Sequence, residues 1–527
     1  MRGHSSFWVL GVGICLTGIM LFWNLGNYSL WDDEAIDGLI ARSLLENGRA
    51  EALIGKNLVG YRDGSLLHGM MIEGEPPFCA FAAIPFFGIF GQTPWAARAI
   101  PALAGFATAC LMLLWAFQVA RDSIFYALFC MALLFNTSFF LFSRQFHYYG
   151  PSMFFVTAIA YLWVQPSLSS HRFLWIGLCF FCLNLSNYLT GFLVSICIAL
   201  DYIIFRRTQQ TLRIRQLLPI LIPFLLSGVI IYLDWNPFLT SIGGKLVQNS
   251  LQEKITLSLW GLRDLNQCEF VSGLFLALWP WILIRSKDPK LLRVTCFLGV
   301  FFLGICLFST QPVQATSVFD VRYLIPILPF LIFLSAYVVY FFLQASPRLA
   351  LVVGLVVLGT NLTHRIFPFA ADRFCTTGDF FHELIHPVPE PFDPVITWLK
   401  KNVPSEKSVW VLPEHMTYPL MFHAPEQIYA WQFTAEKRQD PVYRSLPDIH
   451  FRGIVPPDYV VIFGPTVVPI REMLSQMTAQ GVHYFEVTRL LTFWKDLYRP
   501  ELFWRTFKPI ENFDPNTEAI YIFKKQP

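Results

Sequence analysis

Long apolar runs fill the first two-thirds of the chain, and shorter alternating ones fill the last third. A membrane span needs about 20 apolar residues. Eleven runs approach that length: 7–25, 95–119, 123–142, 150–165, 173–187, 188–205, 216–234, 268–285, 292–309, 323–344 and 348–362. The stretch 173–205 is too long for one helix, and the Asn, Ser, Tyr, Thr and Gly between Asn184 and Gly191 split it in two. The first run lacks a small-residue cleavage site in Trp23–Asp33, which predicts an uncleaved anchor. Pro77–Gly91 is short and carries Pro85, as suits an interfacial or re-entrant helix.

The positive-inside rule orients this pattern. With 77–91 not spanning, the short inside segments hold twelve Lys and Arg, among them Arg121, Arg172, Arg207 and Arg293. The short outside loops then hold five: Arg144, Lys245, Lys254, Arg263 and Arg322. A spanning 77–91 would reverse the bias. The chain is therefore expected to start in the cytoplasm and end outside it. Residues 1–363 form the membrane domain, with 27–94 as a first outside loop of interfacial helices and 364–527 as an external domain. Within 27–94, Glu34–Glu46 is amphipathic and is expected to lie on the membrane surface. In the last third, helices at Pro394–Lys401 and Arg471–Gln480 alternate with strands at Ser408–Leu412, Tyr459–Phe463, Tyr484–Val487 and Ala519–Phe523, predicting a small α/β domain.

Composition sharpens this division. Of 527 residues, 55% are hydrophobic and only 14% charged, against roughly 25% charged in soluble domains. Of the 75 charged side chains, 36 fall in residues 364–527. A net charge of +3 offers nothing to nucleic acid. Most of the eleven cysteines sit in apolar runs, where Cys behaves as a small hydrophobe, so no disulfide framework follows.

Candidate chemistry gathers on the predicted outer face. Trp31-Asp32-Asp33-Glu34 follows the first run, Glu75-Pro76-Pro77 opens the short helix, Ser143-Arg144-Gln145-Phe146-His147-Tyr148-Tyr149 forms the second outside loop, and Asp320-Val321-Arg322-Tyr323 enters the tenth run. Each has a bland reading. Asp33 and Glu34 suit a helix N-terminus, the arginines suit snorkelling, and the tyrosines suit an aromatic belt. Together they supply carboxylates, guanidiniums and aromatics for a reaction between a lipid phosphate and a hydroxyl.

These motifs, with Phe90-Gly91-Gln92-Thr93-Pro94-Trp95-Ala96-Ala97-Arg98 and Arg322-Tyr323-Leu324-Ile325-Pro326, occur in the order seen in GT-C membrane glycosyltransferases. The chain resembles their family 39, which contains protein O-mannosyltransferases and lipid A aminoarabinose transferases. The resemblance implies a GT-C fold of about eleven transmembrane helices with a C-terminal extracytoplasmic α/β domain. It implies transfer of a sugar from a polyprenyl-phosphate donor to a hydroxyl of a protein, lipid or glycan, with inversion. Asp33 is then the catalytic base, and Glu34 assists catalysis or caps its helix. Arg144, Arg322 and Tyr323 would hold the donor phosphate, and Glu75, His147, Tyr148 and Tyr149 would contact substrate. Relatives often carry Lys or His where Glu75 stands, the lysine being associated with the lipid phosphate, and an Asp shortly after Ser143-Arg144.

No cofactor is implied with certainty. Carboxylates suit a divalent cation, although no octahedral ligand set is visible. A flippase and an inactive scaffold are the rival classes. The polar motifs lie at span ends rather than at the midplane, and no repeated halves appear, which disfavours the transporter. Compact outside loops point to a bacterial inner membrane.

Overall fold

The computed structural model describes residues 2–120, 122–165, 169–207, 212–240, 249–267, 273–309, 313, 319–358, 377–386, 390–464, 469–492 and 519–527. Arg121, Lys245 and the expected domain boundary at 363/364 lie outside them. Each of the eleven apolar runs carries a helix. In chain order these are α1 (Arg2–Phe22), then α2 (Asp32–Asn47) and α3 (Phe78–Phe90) of the first loop, then α4 (Pro94–Ala120), α5 (Ser123–Leu134), α6 (Thr137–Ser143), α7 (Tyr149–Trp163), α8 (Ser170–Ser186), α9 (Tyr188–Asp201) and α10 (Ile214–Asp234). They continue with α11 (Leu251–Gln267), α12 (Gly273–Ser286), α13 (Pro289–Phe308), α14 (Leu328–Ala345) and α15 (Pro347–Val357).

Five helical stretches among the described residues are long and apolar enough to cross a membrane, and the α5–α6 pair, bent by 59°, makes a sixth. Asn136 causes that bend by taking the Phe139 N–H (2.9 Å), so a new helix starts inside a run that reads as continuous. Asn187 does the same between α8 and α9, capping Thr190 N at 2.9 Å. Helix α11 is not among the expected elements, because its mixed charge breaks the apolar pattern.

Helix α3 has 13 residues. At 1.5 Å per residue it is about 20 Å long, well short of a bilayer core of about 30 Å. It packs against α2 and α4, as a helix entering from one face would. The topology is checked with maleimide labelling over the wild-type cysteine background. A Cys at exposed Arg207 should react only from the cytoplasmic side, and one at exposed Glu406 only from the opposite side. Labelling of position 207 from outside and of position 406 from the cytoplasm would mean that α3 spans.

After four two-residue strands in the first loop, β1 (Leu53–Ile54), β2 (Asn57–Leu58), β3 (Leu67–His68) and β4 (Met71–Ile72), the C-terminal segment carries α16 (Thr377–Ile385), α17 (Phe392–Asn402), β5 (Ser408–Leu412), α18 (Thr417–His423), β6 (Ile428–Tyr429), β7 (Tyr459–Phe463), α19 (Ile470–Ala479), β8 (Tyr484–Leu490) and β9 (Ile520–Lys525). Its sheet runs β6-β5-β7-β9-β8. The first three strands are parallel, and β9 is antiparallel to both β7 and β8. The four predicted strands are present; the two-residue β6 is too short to read from pattern.

Helix α2 does not lie open on a membrane surface. Twelve of its sixteen residues are buried, including Asp32, Glu34, Asp37 and Arg42, between α3 and α18. Its apolar residues share one core with α3 and with the inner face of the C-terminal sheet. Gly38 permits the close approach: a Cβ there would stand 2.8 Å from the Phe422 ring. Arg42 Nη2 donates to Phe422 O at 2.7 Å, and Leu30 N donates to His423 Nε2 at 3.0 Å. Burial holds the His423 pKa down to about 3, so the ring stays neutral and keeps that acceptor. Periodicity marks this helix as amphipathic, but it cannot show that the missing cover comes from 380 residues downstream.

Candidate active site

The polar motifs at the helix ends sort into a buried frame and an open cavity. In the frame, Glu34 is wholly enclosed. Its Oε1 accepts from Arg98 Nε (2.8 Å) and Phe146 N (2.6 Å), and its Oε2 accepts from Arg98 Nη2 (2.6 Å) and Trp31 N (3.3 Å). Arg98 is equally buried and spends its remaining donors on carbonyls, reaching Tyr28 O at 2.8 Å and Ser29 O at 2.9 Å. A bidentate carboxylate–guanidinium pair with every donor used is the arrangement that makes a buried charge tolerable. It pins α2, α4 and the loop at Phe146 together. Glu34 thus has the geometry of the capping alternative, with its acceptor positions filled.

Arg144 also belongs to the frame. Its Nη1 donates to Met20 O (3.0 Å), Leu21 O (2.9 Å) and Trp23 O (2.9 Å), and its Nη2 to Asn24 O (3.4 Å). These are carbonyls at the end of α1, where helical partners run out, and a guanidinium there also meets the negative end of the helix dipole. The structure therefore commits Arg144 to α1 and does not bring it to the cavity expected to hold the phosphate.

The cavity has a volume of about 350 Å³ and is lined by Asp32, Asp33, Tyr61, Arg62, Arg322, Glu414 and His415. Asp33 and Arg322 face each other across it, with Oδ2 and Nη1 3.5 Å apart. Arg322 Nε also stands 2.8 Å from Asp320 Oδ2, and its guanidinium lies over the Tyr323 ring at 5.4 Å. Asp33 and Arg322 remain partly exposed, so each can turn to a ligand. Two expected residues from opposite ends of the membrane region meet here.

Behind this cavity lies a second polar layer. Asp37, one helical turn after Asp33, bonds His147 Nδ1 through Oδ2 at 2.7 Å, and both are buried. Burial alone would strip the proton from His147, but the Asp37 carboxylate reverses that and raises the ring to about 9. Burial, and then the neighbouring Asp37, push the Glu75 carboxyl well above the usual carboxylate range. The His147 ring packs on Tyr148 and Tyr149, with centroids 4.2 and 5.0 Å away. Glu75, His147, Tyr148 and Tyr149 thus back the cavity rather than line it.

Sequence reasoning missed Tyr61, Arg62, Glu414, His415 and Asp37. Asp37 had a usable signal, since i and i+4 share one helix face. The others come from an irregular turn and from the distant C-terminal segment, where no periodicity marks them. Among the described residues, no three His, Cys, Asp or Glu side chains group as metal ligands.

No protein-family model matches the chain, and no curated sequence does either. Solved structures do match. ArnT from Cupriavidus metallidurans bound to undecaprenyl phosphate superposes with a TM-score of 0.58 at 13% identity, covering 98% of each chain. The fold is that of a GT-C glycosyltransferase. The apo form of the same ArnT gives a TM-score of 0.55, covering 98% of this chain and 97% of that one. The Archaeoglobus fulgidus oligosaccharyltransferase in its apo form gives 0.51 at 10% identity, covering 86% of this chain and 69% of that one. The GT-C likeness extends over nearly the whole length, C-terminal sheet included, and the chain's own long apolar helices make it a multi-pass membrane protein.

Proposed function

We propose that the protein transfers a sugar from a polyprenyl-phosphate donor to an acceptor hydroxyl on the extracytoplasmic face of a bacterial inner membrane. The observation that carries this reading is the Asp33–Arg322 pair, 3.5 Å apart in a cavity at the helix ends. A carboxylate beside a guanidinium offers a base for one reactant and a cation for the other. The acceptor O–H gives its proton to Asp33 as its oxygen attacks the anomeric carbon. The bond from that carbon to the phosphate oxygen breaks, and its electron pair leaves with the polyprenyl phosphate. Arg322 meets the charge that develops there, while Tyr323 supports the guanidinium from below. One displacement inverts the anomeric centre.

The undecaprenyl phosphate bound in one of the ArnT structures supports the donor class. The external position proposed for 390–464 supports an acceptor that enters from outside, beneath Glu414 and His415. The donor is identified by mass spectrometry of lipid co-purified with wild-type protein, in which a polyprenyl-phosphate sugar is expected. Its absence after donor-loaded reconstitution would favour the scaffold reading.

A further inference from the structure

We propose that Arg62 is the second cation that holds the donor's phosphate, and that the C-terminal segment positions it. This inference rests on the polyprenyl-phosphate reading and supplies a residue that reading lacks. The need is electrostatic. Asp32, Asp33 and Glu414 line the cavity beside only two guanidiniums. Arg322 is already shared between Asp33 and Asp320, and Arg144 is committed to the end of α1. Glu75, ahead of the Pro-Pro step, brings no positive charge. Arg62 differs from all of these. It is exposed at the cavity, makes no ion pair with a described carboxylate, and rests over the Tyr61 ring with its guanidinium 5.0 Å from the centroid. A ring beneath a guanidinium restrains it while leaving its edge donors open to a ligand.

The backbone points the same way. Arg62 (φ 46°, ψ 56°) and Asp63 (φ 57°, ψ 39°) are consecutive non-glycine residues in the left-handed region, which is sterically costly and persists only where the surroundings impose it. The C-terminal segment imposes it from two sides. Arg62 N donates to Glu414 Oε1 at 2.7 Å, and Thr434 N donates to Asp63 Oδ1 at 2.8 Å. Gly60 allows the contact, since a Cβ there would stand 2.8 Å from Gln432 Cβ. A strained turn clamped at both residues projects one otherwise uncommitted cation into the cavity. Glu414 is then a positioning residue, acting through the Arg62 amide.

The test measures binding of undecaprenyl phosphate, undecaprenol and inorganic phosphate to the full-length protein in detergent. Arg62→Asn removes the charge but tolerates the left-handed backbone. It should weaken undecaprenyl phosphate binding by about 10- to 100-fold, the scale of a charge-assisted hydrogen bond, and leave undecaprenol binding unchanged. Arg62→Lys should fall between. Glu414→Ala should also lose affinity for the phosphate lipid, while Glu414→Gln, whose amide oxygen still accepts from Arg62 N, should recover most of it. Wild-type affinity in Arg62→Asn would overturn the assignment and leave the donor reading intact. If the wild-type protein binds undecaprenyl phosphate no better than undecaprenol, the donor reading falls and the assignment with it. Equal competition by inorganic phosphate at the lipid's own concentration would show a free-anion site and overturn the assignment as well.

Discussion

Asp33→Asn should fold, insert and bind donor normally, and lose transfer activity by at least ~10²-fold, the scale of general-base catalysis. The substitution keeps size and hydrogen bonding but removes the basic lone pair. Asp33 is suited to this test because it is partly exposed in the cavity and meets Arg322 only at a loose 3.5 Å. Nothing in its packing predicts a stability change. Turnover of a donor-loaded, reconstituted sample is the measurement, with product release scored per donor consumed. Near-wild-type turnover would leave Asp33 as a residue of the α2 N-terminus only, favourable there for the helix dipole. Asp32→Asn is the internal comparison and should matter much less.

Arg98→Ala should be among the most damaging single changes in the molecule, and its damage should be to folding. Removing one partner of a buried ion pair typically costs about 3–5 kcal/mol, because the other charge is left uncompensated. Here the stranded group is Glu34, which would keep only the Trp31 and Phe146 amides. The carbonyls of Tyr28 and Ser29 would lose their donors too. Thermal unfolding in detergent, followed by size exclusion, should show a large drop in midpoint or loss of the monodisperse species. Glu34→Ala should fail in the same way. If Glu34→Ala instead keeps its stability and loses only transfer, Glu34 acts in catalysis and not in the frame.

Comparing Glu34 and Asp33 shows where sequence reasoning stops. Adjacent carboxylates at a helix start look alike in the chain, and both fit either catalysis or capping. Helical geometry turns neighbouring residues about 100° apart, so one meets Arg98 in the interior while the other meets Arg322 in the cavity. Arg144 and Arg322 diverge for a related reason. Both stand at helix ends, yet one falls against the unsatisfied carbonyls of α1 and the other opens onto space. Which environment a side chain enters depends on elements distant in the chain.

The apolar runs, the break at Asn187, the short helix after Pro76-Pro77 and the four strands of the C-terminal sheet could all be read from the chain. Each depends on local periodicity, length or a capping residue, and for the apolar runs the membrane imposes this locally by demanding that backbone groups be satisfied within each span. The order of the polar motifs carried the GT-C resemblance for the same reason, since each sits near the end of an apolar run. The enclosure of α2 beneath α18, the committed donors of Arg144, and the cavity shared by Asp33, Arg322, Arg62 and Glu414 depend instead on contacts between residues hundreds of positions apart or on the packing of helix ends. Such pairings leave no periodic trace, because a side chain that completes a partner elsewhere follows the partner's geometry and not the repeat of its own element.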